Sequence, residues 1–347
     1  MKQTAVVILN WNGRKLLEQF LPSLCMYTSP ENADIIVADN GSTDDSISFL
    51  ETNYPQIIIH ALGKNYGFAE GYNKALENLN YQYVVLLNSD VEVSDHWLDT
   101  AIDYLEKHSE ITAIQPKILS LNNKNFFEYA GACGGFLDKY GYPFCRGRIL
   151  NTLEEDKGQY DEITPVFWIS GACLIIRLEE YKNVGGLDAN FFAHQEEIDL
   201  CWRLNARNKK LVCVPQSVVY HVGGATLDKT NSRKTYLNFR NNLLMIYKNM
   251  PESDYKTTML IRFFPDYLSA LHFVLKGQIS NAIAVGKARM DFHRLKKQYK
   301  TIREENLKKS RINLPETIYS RSILREYYLT GKKKYSQLTE WKKQKNR

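Results

Sequence analysis

Short apolar, β-branched runs recur through the N-terminal part of the chain at residues 5–9, 34–38, 57–61 and 83–87, and each ends on a polar turn. Between them lie the helical patterns "KLLEQFLPSLCMYT", "DDSISFLETNY" and "FAEGYNKALENLN". Strands separated by helices of this length predict parallel crossover units with helices on both faces of a sheet, an α/β nucleotide-binding layout. In such sheets ligands lie beyond the carboxyl ends of the strands, so the residues after each run are the first place to look for chemistry.

Those residues are unusual as a set. The runs are followed by "NWNG" with Asn10, Trp11 and Asn12, by "DNGSTDDS" beginning at Asp39, by "LGKNYGFAEG" with Asn65 and Gly67, and by "NSD" with Asn88, Ser89 and Asp90. Each alone is an ordinary turn. Four at one sheet edge point to a ligand. Asp39 either accepts from the imide N–H of a pyrimidine base or closes an Asx turn, and the glycines around Tyr66 allow backbone to approach a ribose or diphosphate. There is no GxGxxG, which argues against a nicotinamide dinucleotide fold. Asn88 and Asp90 share one face of an extended chain. A carboxylate beside a neutral amide holds Mg²⁺ or Mn²⁺ only when water and substrate phosphates complete the shell, which suits a nucleotide diphosphate.

The order of "VVILNWNG", "VADNGSTDDS", "NYGFAEGYN", "VVLLNSDVEV" and "WISGACLIIRLEEYKNVGGLDANFFAHQEEIDLCWRLNARNKKLVCVP" resembles the family 2 glycosyltransferases, in particular the branch with bacterial rhamnosyltransferases of surface polysaccharide assembly, over about residues 4–250. The resemblance implies a GT-A fold: a Rossmann-like, mixed but mainly parallel sheet with helices on both faces, here with a C-terminal helical extension. It also implies a nucleotide-diphospho-sugar donor, dTDP- or UDP-linked, a divalent cation, and inverting transfer to a glycan or polyprenyl-linked acceptor. Metal binding then rests chiefly on Asp90, with His221 of "VVYHVGG" as a further ligand. In "HQEEIDL" the usual Glu-Asp pair reads Glu196-Glu197, so Glu197 is the expected general base and Glu196 the alternative. Ser170, Gly171, Trp168, Asp199 and Arg203 are expected on the acceptor side, with ordinary core packing the competing reading for the indole. A sugar-phosphate nucleotidyltransferase or a non-catalytic nucleotide- or glycan-binding protein are the other functional classes considered.

Composition adds two points. The six cysteines, Cys25, Cys133, Cys145, Cys173, Cys201 and Cys213, form no CxxC pair and read as reduced core thiols. "MKQTAVVILNWNG" reads as a first strand rather than a signal peptide. Charge is uneven: residues 285–347 carry 19 Lys and Arg against 6 Asp and Glu. Upstream of this stretch Tyr267, Leu268, Leu271, Val274 and Leu275 fall on one helical face, while Arg262, Pro265, Asp266 and His272 interrupt any spanning segment. The expected organisation is a catalytic domain over 1–250, with a donor half to about 120 and an acceptor half after it, then a basic helical region over 251–347. Apolar face and basic tail together suit docking on an anionic surface at the inner face of the cytoplasmic membrane, with no nucleic-acid partner expected.

Overall fold

The computed structural model describes residues 2–223 and 231–338. Strands β1 (Thr4–Asn10), β2 (Ala33–Asp39), β3 (Ile58–Ala61) and β4 (Tyr83–Leu87) are parallel and lie in the order β4-β1-β2-β3. Helices α1 (Arg14–Tyr27), α2 (Ser46–Asn53) and α3 (Gly67–Leu76) connect them. Period-two alternation splits the strands between two cores. Val6, Ile8, Val85 and Leu87 join Leu17, Leu21 and Leu24 of α1, whereas Ala5, Val7, Val84 and Leu86 join Ala69, Tyr72 and Leu76 of α3. A fully buried Val or Leu contributes about 1.5–3 kcal/mol, and a slip of one residue would exchange the two faces, so the register is strongly fixed.

After β4 come β5 (Val91–Val93), helix α4 (Trp97–Lys107) and β6 (Ile111–Ser120). A second, smaller sheet starts with β7 (Gly135–Asp138), β8 (Pro143–Cys145), β9 (Arg148–Ile149) and β10 (Thr152–Leu153). The chain then re-enters the main sheet as β11 (Thr164–Pro165), β12 (Cys173–Arg177) and β13 (Lys210–His221). β12 lies antiparallel between β4 and β6, and β13 is parallel to β6 and antiparallel to β5. Helices α5 (Leu178–Asn183) and α6 (Glu196–Ala206) lie between β12 and β13, and α7 (Ser232–Asn249), α8 (Glu252–Leu275), α9 (Ile279–Leu295) and α10 (Lys300–Lys309) follow. The six cysteines are free thiols.

The C-terminal region is the expected helical extension, with one addition that returns it to the second sheet. Strand β14 (Ile318–Tyr319) returns to pair in parallel with β7, and helix α11 (Ile323–Tyr328) begins with its Ile323 N–H donating to the buried Asp138 carboxylate at 2.9 Å. Asp266 of α8 accepts from Arg289 of α9 at 2.5 Å and from Tyr142 of the acceptor half at 3.3 Å. Buried polar pairing of this kind ties the region to the second sheet at Asp138 and Tyr142, and the hydrophobic pattern alone could not reveal it. No helix among the described residues is long and apolar enough to cross a membrane.

Candidate active site

β4 ends where the sheet changes direction. Asn88 N–H donates to Ala172 O at 3.0 Å, which joins the β4 end to the turn before β12. The chain then passes through Ser89 and Asp90 into β5, whose antiparallel register sets Val91 opposite His221. Asp90 is thereby drawn to the imidazole: His221 Nε2 lies 3.1 Å from Asp90 Oδ1, and Nδ1 lies 3.3 Å from Glu128 Oε2. All three side chains are buried. Burial alone would depress the imidazole pKa, but the hydrogen bond with Asp90 and the charges of both carboxylates push it up to about 10.

The donor set here, carboxylate oxygen and imidazole nitrogen, suits Mg²⁺ or Mn²⁺. Among the described residues, however, no group of three or more His, Cys, Asp or Glu side chains is arranged to hold a metal ion. Asp90 is therefore the group that would meet a cation, and His221, protonated between the two carboxylates, would ligate it only on losing that proton. Glu128, missed in the sequence, accepts from Ala130 N–H at 2.5 Å and braces the imidazole from the other side. Nothing in "FFEYAGA" marks it, because its role depends on strand pairing.

The first three turns interlock. Asn10 Nδ2 donates to Asp39 Oδ1 at 3.1 Å, and Ser42 N–H donates to Asp39 Oδ2 at 3.0 Å. Both oxygens of this buried carboxylate are thus engaged, and the Asx-turn reading is the one realised in place of a free base-binding group. Asn12 Oδ1 accepts from Thr43 N–H at 2.7 Å, while Trp11 projects with 55% exposure and offers a face for stacking. Asn65 Oδ1 accepts from Gly67 N–H at 2.8 Å, and Asn40 bridges this turn to its own by donating to Gly67 O at 3.0 Å. Asn40 is the organising residue that the sequence reading passed over.

The acidic helix start is held by a strained loop. Phe192, His194 and Gln195 all have positive φ, 65°, 70° and 73°, a conformation that costs about 1–3 kcal/mol per residue unless the surroundings enforce it. Asn241 enforces it: its side-chain amide donates to the carbonyls of Phe191, Ala193 and His194 at 2.9, 2.9 and 2.7 Å. Asn242 adds a bond to Gln195 Oε1 at 3.0 Å, and Arg240 donates to Asn190 O at 2.9 Å. The loop also reaches the donor side, since Phe68 N–H at the start of α3 donates to Phe192 O at 3.0 Å.

At the end of this loop stand Glu196 and Glu197, each with a buried Oε2 that has no hydrogen-bond partner. Burial raises both pKa values. For Glu196 the neighbouring Glu197 charge adds to burial and drives it well above the carboxylate range. For Glu197 burial dominates, backbone N–H groups at the helix start oppose it, and the result is about 7. Glu197 is therefore the member of the pair that ionises near neutrality. It faces the small-residue turn, for a Cβ added at Gly171 would lie 4.0 Å from Glu197 Cβ.

Four of the five expected acceptor residues are engaged in packing and internal hydrogen bonds. Trp168 is buried, its indole over Gly135 and its Nε1 donating to Phe136 O at 3.0 Å, so no face is left for a sugar. Asp199 is fully buried and accepts from Arg203 at 3.0 Å, Lys248 at 2.9 Å and Asn249 at 2.8 Å. Arg203 also donates to the carbonyls of Val184 and Gly186 at 2.6 and 2.7 Å. Buried charges require such pairing, and the network clamps α6 against α7. Ser170 is likewise buried, its N–H donating to Gln115 Oε1 at 2.9 Å and its hydroxyl accepting from Ala172 N–H. Gly171 alone of the five lies beside Glu197.

Comparison with known proteins bears on the family and the fold. The model of Glycosyl transferase family 2 matches residues 5–152. Over 230 residues, 62% of this chain and 75% of the relative, the sequence is 26% identical to N-acetylglucosaminyl-diphospho-decaprenol L-rhamnosyltransferase of Mycobacterium tuberculosis. Among solved structures, S. aureus TarS in complex with UDP superposes with a TM-score of 0.54 at 17% identity, covering 89% of each chain. Mannosyltransferase PcManGT of Pyrobaculum calidifontis, in complex with GDP-Man and Mn²⁺, gives 0.51 at 11% identity, covering 88% of this chain and 85% of that one. At such identities the structural likeness speaks for the fold alone. Sequence and architecture together identify the chain as carrying a family 2 glycosyltransferase domain of the GT-A fold, rhamnosyltransferase-like in sequence.

Proposed function

We propose that the protein transfers a sugar, with inversion, from a dTDP- or UDP-linked donor to a glycan or polyprenyl-linked acceptor in cell-surface polysaccharide synthesis. The observation that carries this reading is the Glu197 carboxylate, whose buried Oε2 has no hydrogen-bond partner, at the end of an enforced, strained loop beside Gly171. Its poise near pH 7 suits a general base. Glu197 takes the proton of an acceptor hydroxyl as that oxygen bonds to the anomeric carbon, the bond from that carbon to the diphosphate oxygen breaks on the opposite face, and the nucleoside diphosphate departs. The interlocked turns of Asn10, Asp39, Asn40, Asn65 and Gly67 orient the nucleotide, and Trp11 stacks on it. Asp90, with His221 once deprotonated, would hold a divalent ion, Mg²⁺ or Mn²⁺, which when bound neutralises charge on the diphosphate; a fold relative was crystallised with Mn²⁺.

An acceptor on a polyprenyl carrier is supported by the name of the mycobacterial relative. The exposed apolar face of α8 and the basic C-terminal region fit attachment to the inner face of the cytoplasmic membrane. The test is incubation with a panel of dTDP-, UDP- and GDP-sugars, following nucleoside diphosphate release and the anomeric configuration of the product by NMR. Release from one donor with an inverted product is expected. No release from any donor, or a retained anomer, overturns the reading.

A further inference from the structure

Helices α7 and α9 pack side by side, pinned by Thr235 Oγ1 donating to Asn281 Oδ1 at 2.9 Å and by Tyr236 OH donating to Asp291 Oδ2 at 2.7 Å. Beside this seam opens a groove of about 610 Å³ whose lining includes Phe192, Arg233, Tyr236, Arg240, Ile283 and Lys287. Three cations thus meet in one concavity. The Arg233 guanidinium lies 4.7 Å from the Phe192 ring centroid, and Arg240 and Lys287 lie 5.3 and 5.4 Å from that of Tyr236. Arg240 spends its hydrogen bonds on Asn190 O, Phe191 O and Asn241 Oδ1. None of the three makes an ion pair with a carboxylate among the described residues, although Asp291 is nearby, held by Tyr236 and by Arg294 at 2.7 Å. Uncompensated positive charge in a groove of this size fits a compact anion better than a flat surface.

Two further observations limit what that anion is. Phe192 is the wall between the groove and the donor turns, since its ring lies under Arg233 and also against Gly67. The groove is therefore next to the catalytic loop but separate from the donor site. On its other side Ile283 is part of a broad apolar surface with Ile279 of α9 and Leu268, Leu271 and Leu275 of α8, each more than half exposed. Large apolar side chains left exposed together on two packed helices fit an interaction surface. An occupant that matches both presents an anion to the three cations and an apolar chain to the exposed side chains of α8 and α9.

We propose that this groove binds the diphosphate of a lipid-diphosphate-linked acceptor, with Arg233, Arg240 and Lys287 neutralising the anion and the lipid chain running along Ile283 onto the exposed face of α8. The assignment deepens the glycosyl-transfer reading and rests on it. The experiment compares kcat/KM for one acceptor glycan carried on a short polyprenyl diphosphate and on a neutral alkyl chain of equal length, both in neutral detergent. The wild-type protein prefers the diphosphate carrier by at least about 10-fold, and the Arg233→Gln/Lys287→Gln double variant loses most of that preference, with Lys287→Arg on the wild-type background retaining it. Because the readout is a ratio between two acceptors, a general loss of activity does not imitate it. An unchanged preference in the double variant overturns the proposal. So does a preference that appears only in anionic vesicles and is absent in neutral detergent, which assigns the cations to bilayer headgroups. Failure of the wild type to release nucleoside diphosphate with any donor overturns the underlying transferase reading, and this proposal with it.

Discussion

Asn241 donates its side-chain amide to the carbonyl of His194 at 2.7 Å, and this bond holds a residue with φ of 70° two residues before the Glu196–Glu197 pair. Replacing Asn241 by Ala removes the side-chain donor from the half-buried carbonyls of Ala193 and His194, while Phe191 O keeps Ala193 N–H and Arg240; a lost donor costs about 1–3 kcal/mol for a buried carbonyl and less for these. The expected result is a drop in kcat of at least about 10-fold with donor KM little changed, alongside a measurable loss of thermal stability. Asn241→Asp, which keeps the shape but loses donor capacity, should behave similarly. Wild-type kcat in both variants would separate the loop geometry from catalysis.

Removing the base should be more costly. Glu197→Gln is expected to lower kcat by roughly 10²- to 10⁴-fold with donor affinity retained, and Glu196→Gln by less. A larger loss for Glu196 would reverse the assignment.

The same carboxyl group links activity to stability through pH. Its folded pKa, about 7, lies above the ordinary 4.5, so the stability it contributes is complete below about 4.5 and is lost as pH rises through 7. Activity should rise over the interval in which stability falls, because the base works ionised. Thermal melts should therefore show Glu197→Gln gaining on the wild type as pH increases from 5 to 8. Parallel melting curves for the two proteins across that range would contradict the burial of this carboxyl.

If the diphosphate is held through a divalent ion at Asp90, then Asp90→Ala should abolish turnover and weaken nucleoside diphosphate binding by calorimetry in the presence of Mn²⁺. Chelation with EDTA should do the same to the wild type, and added Mn²⁺ or Mg²⁺ should restore it. Full turnover in excess EDTA would remove the metal from the mechanism.

Much of this arrangement is local in origin and so visible in sequence. The strands ending at Asn10, Asp39, Ala61 and Leu87 announce themselves by apolar runs that stop at polar turns, and the sheet brings those stops to one edge. What the sequence hides is pairing over distance. Glu128 matters only because His221 arrives opposite β5, and Asn241 only because α7 lies across a loop some 50 residues earlier. Trp168 reads equally as a sugar platform or a core residue until Gly135 is seen beneath it, where a Cβ would come within 2.1 Å of the indole.

Gly67, at the start of α3, packs against Phe192 of the loop before α6, and it tolerates no side chain. Its φ is 77°, and a Cβ there would lie 2.6 Å from the Phe192 ring. Gly67→Ala should displace Phe192, costing about 1–3 kcal/mol from backbone strain alone and raising donor KM. Calorimetric unfolding and donor titration check the two effects separately. An unchanged donor KM would show that the Phe192 contact does not shape the nucleotide site.

Asp199 provides the sharpest separation of packing from recognition. Lys248 and Arg203 hold its carboxylate below the usual range despite full burial, and the three form a closed network with Asp188 and Asn249. Breaking a buried pair from one side strands the remaining charges and costs about 3–5 kcal/mol. Asp199→Asn retains hydrogen bonding to Asn249 but leaves Lys248 and Arg203 short of an anion, so denaturant midpoints should fall clearly. At temperatures where the variant remains folded, acceptor KM should stay near the wild-type value, because the carboxylate is fully enclosed. A variant of wild-type stability with a raised acceptor KM would return Asp199 to the acceptor site.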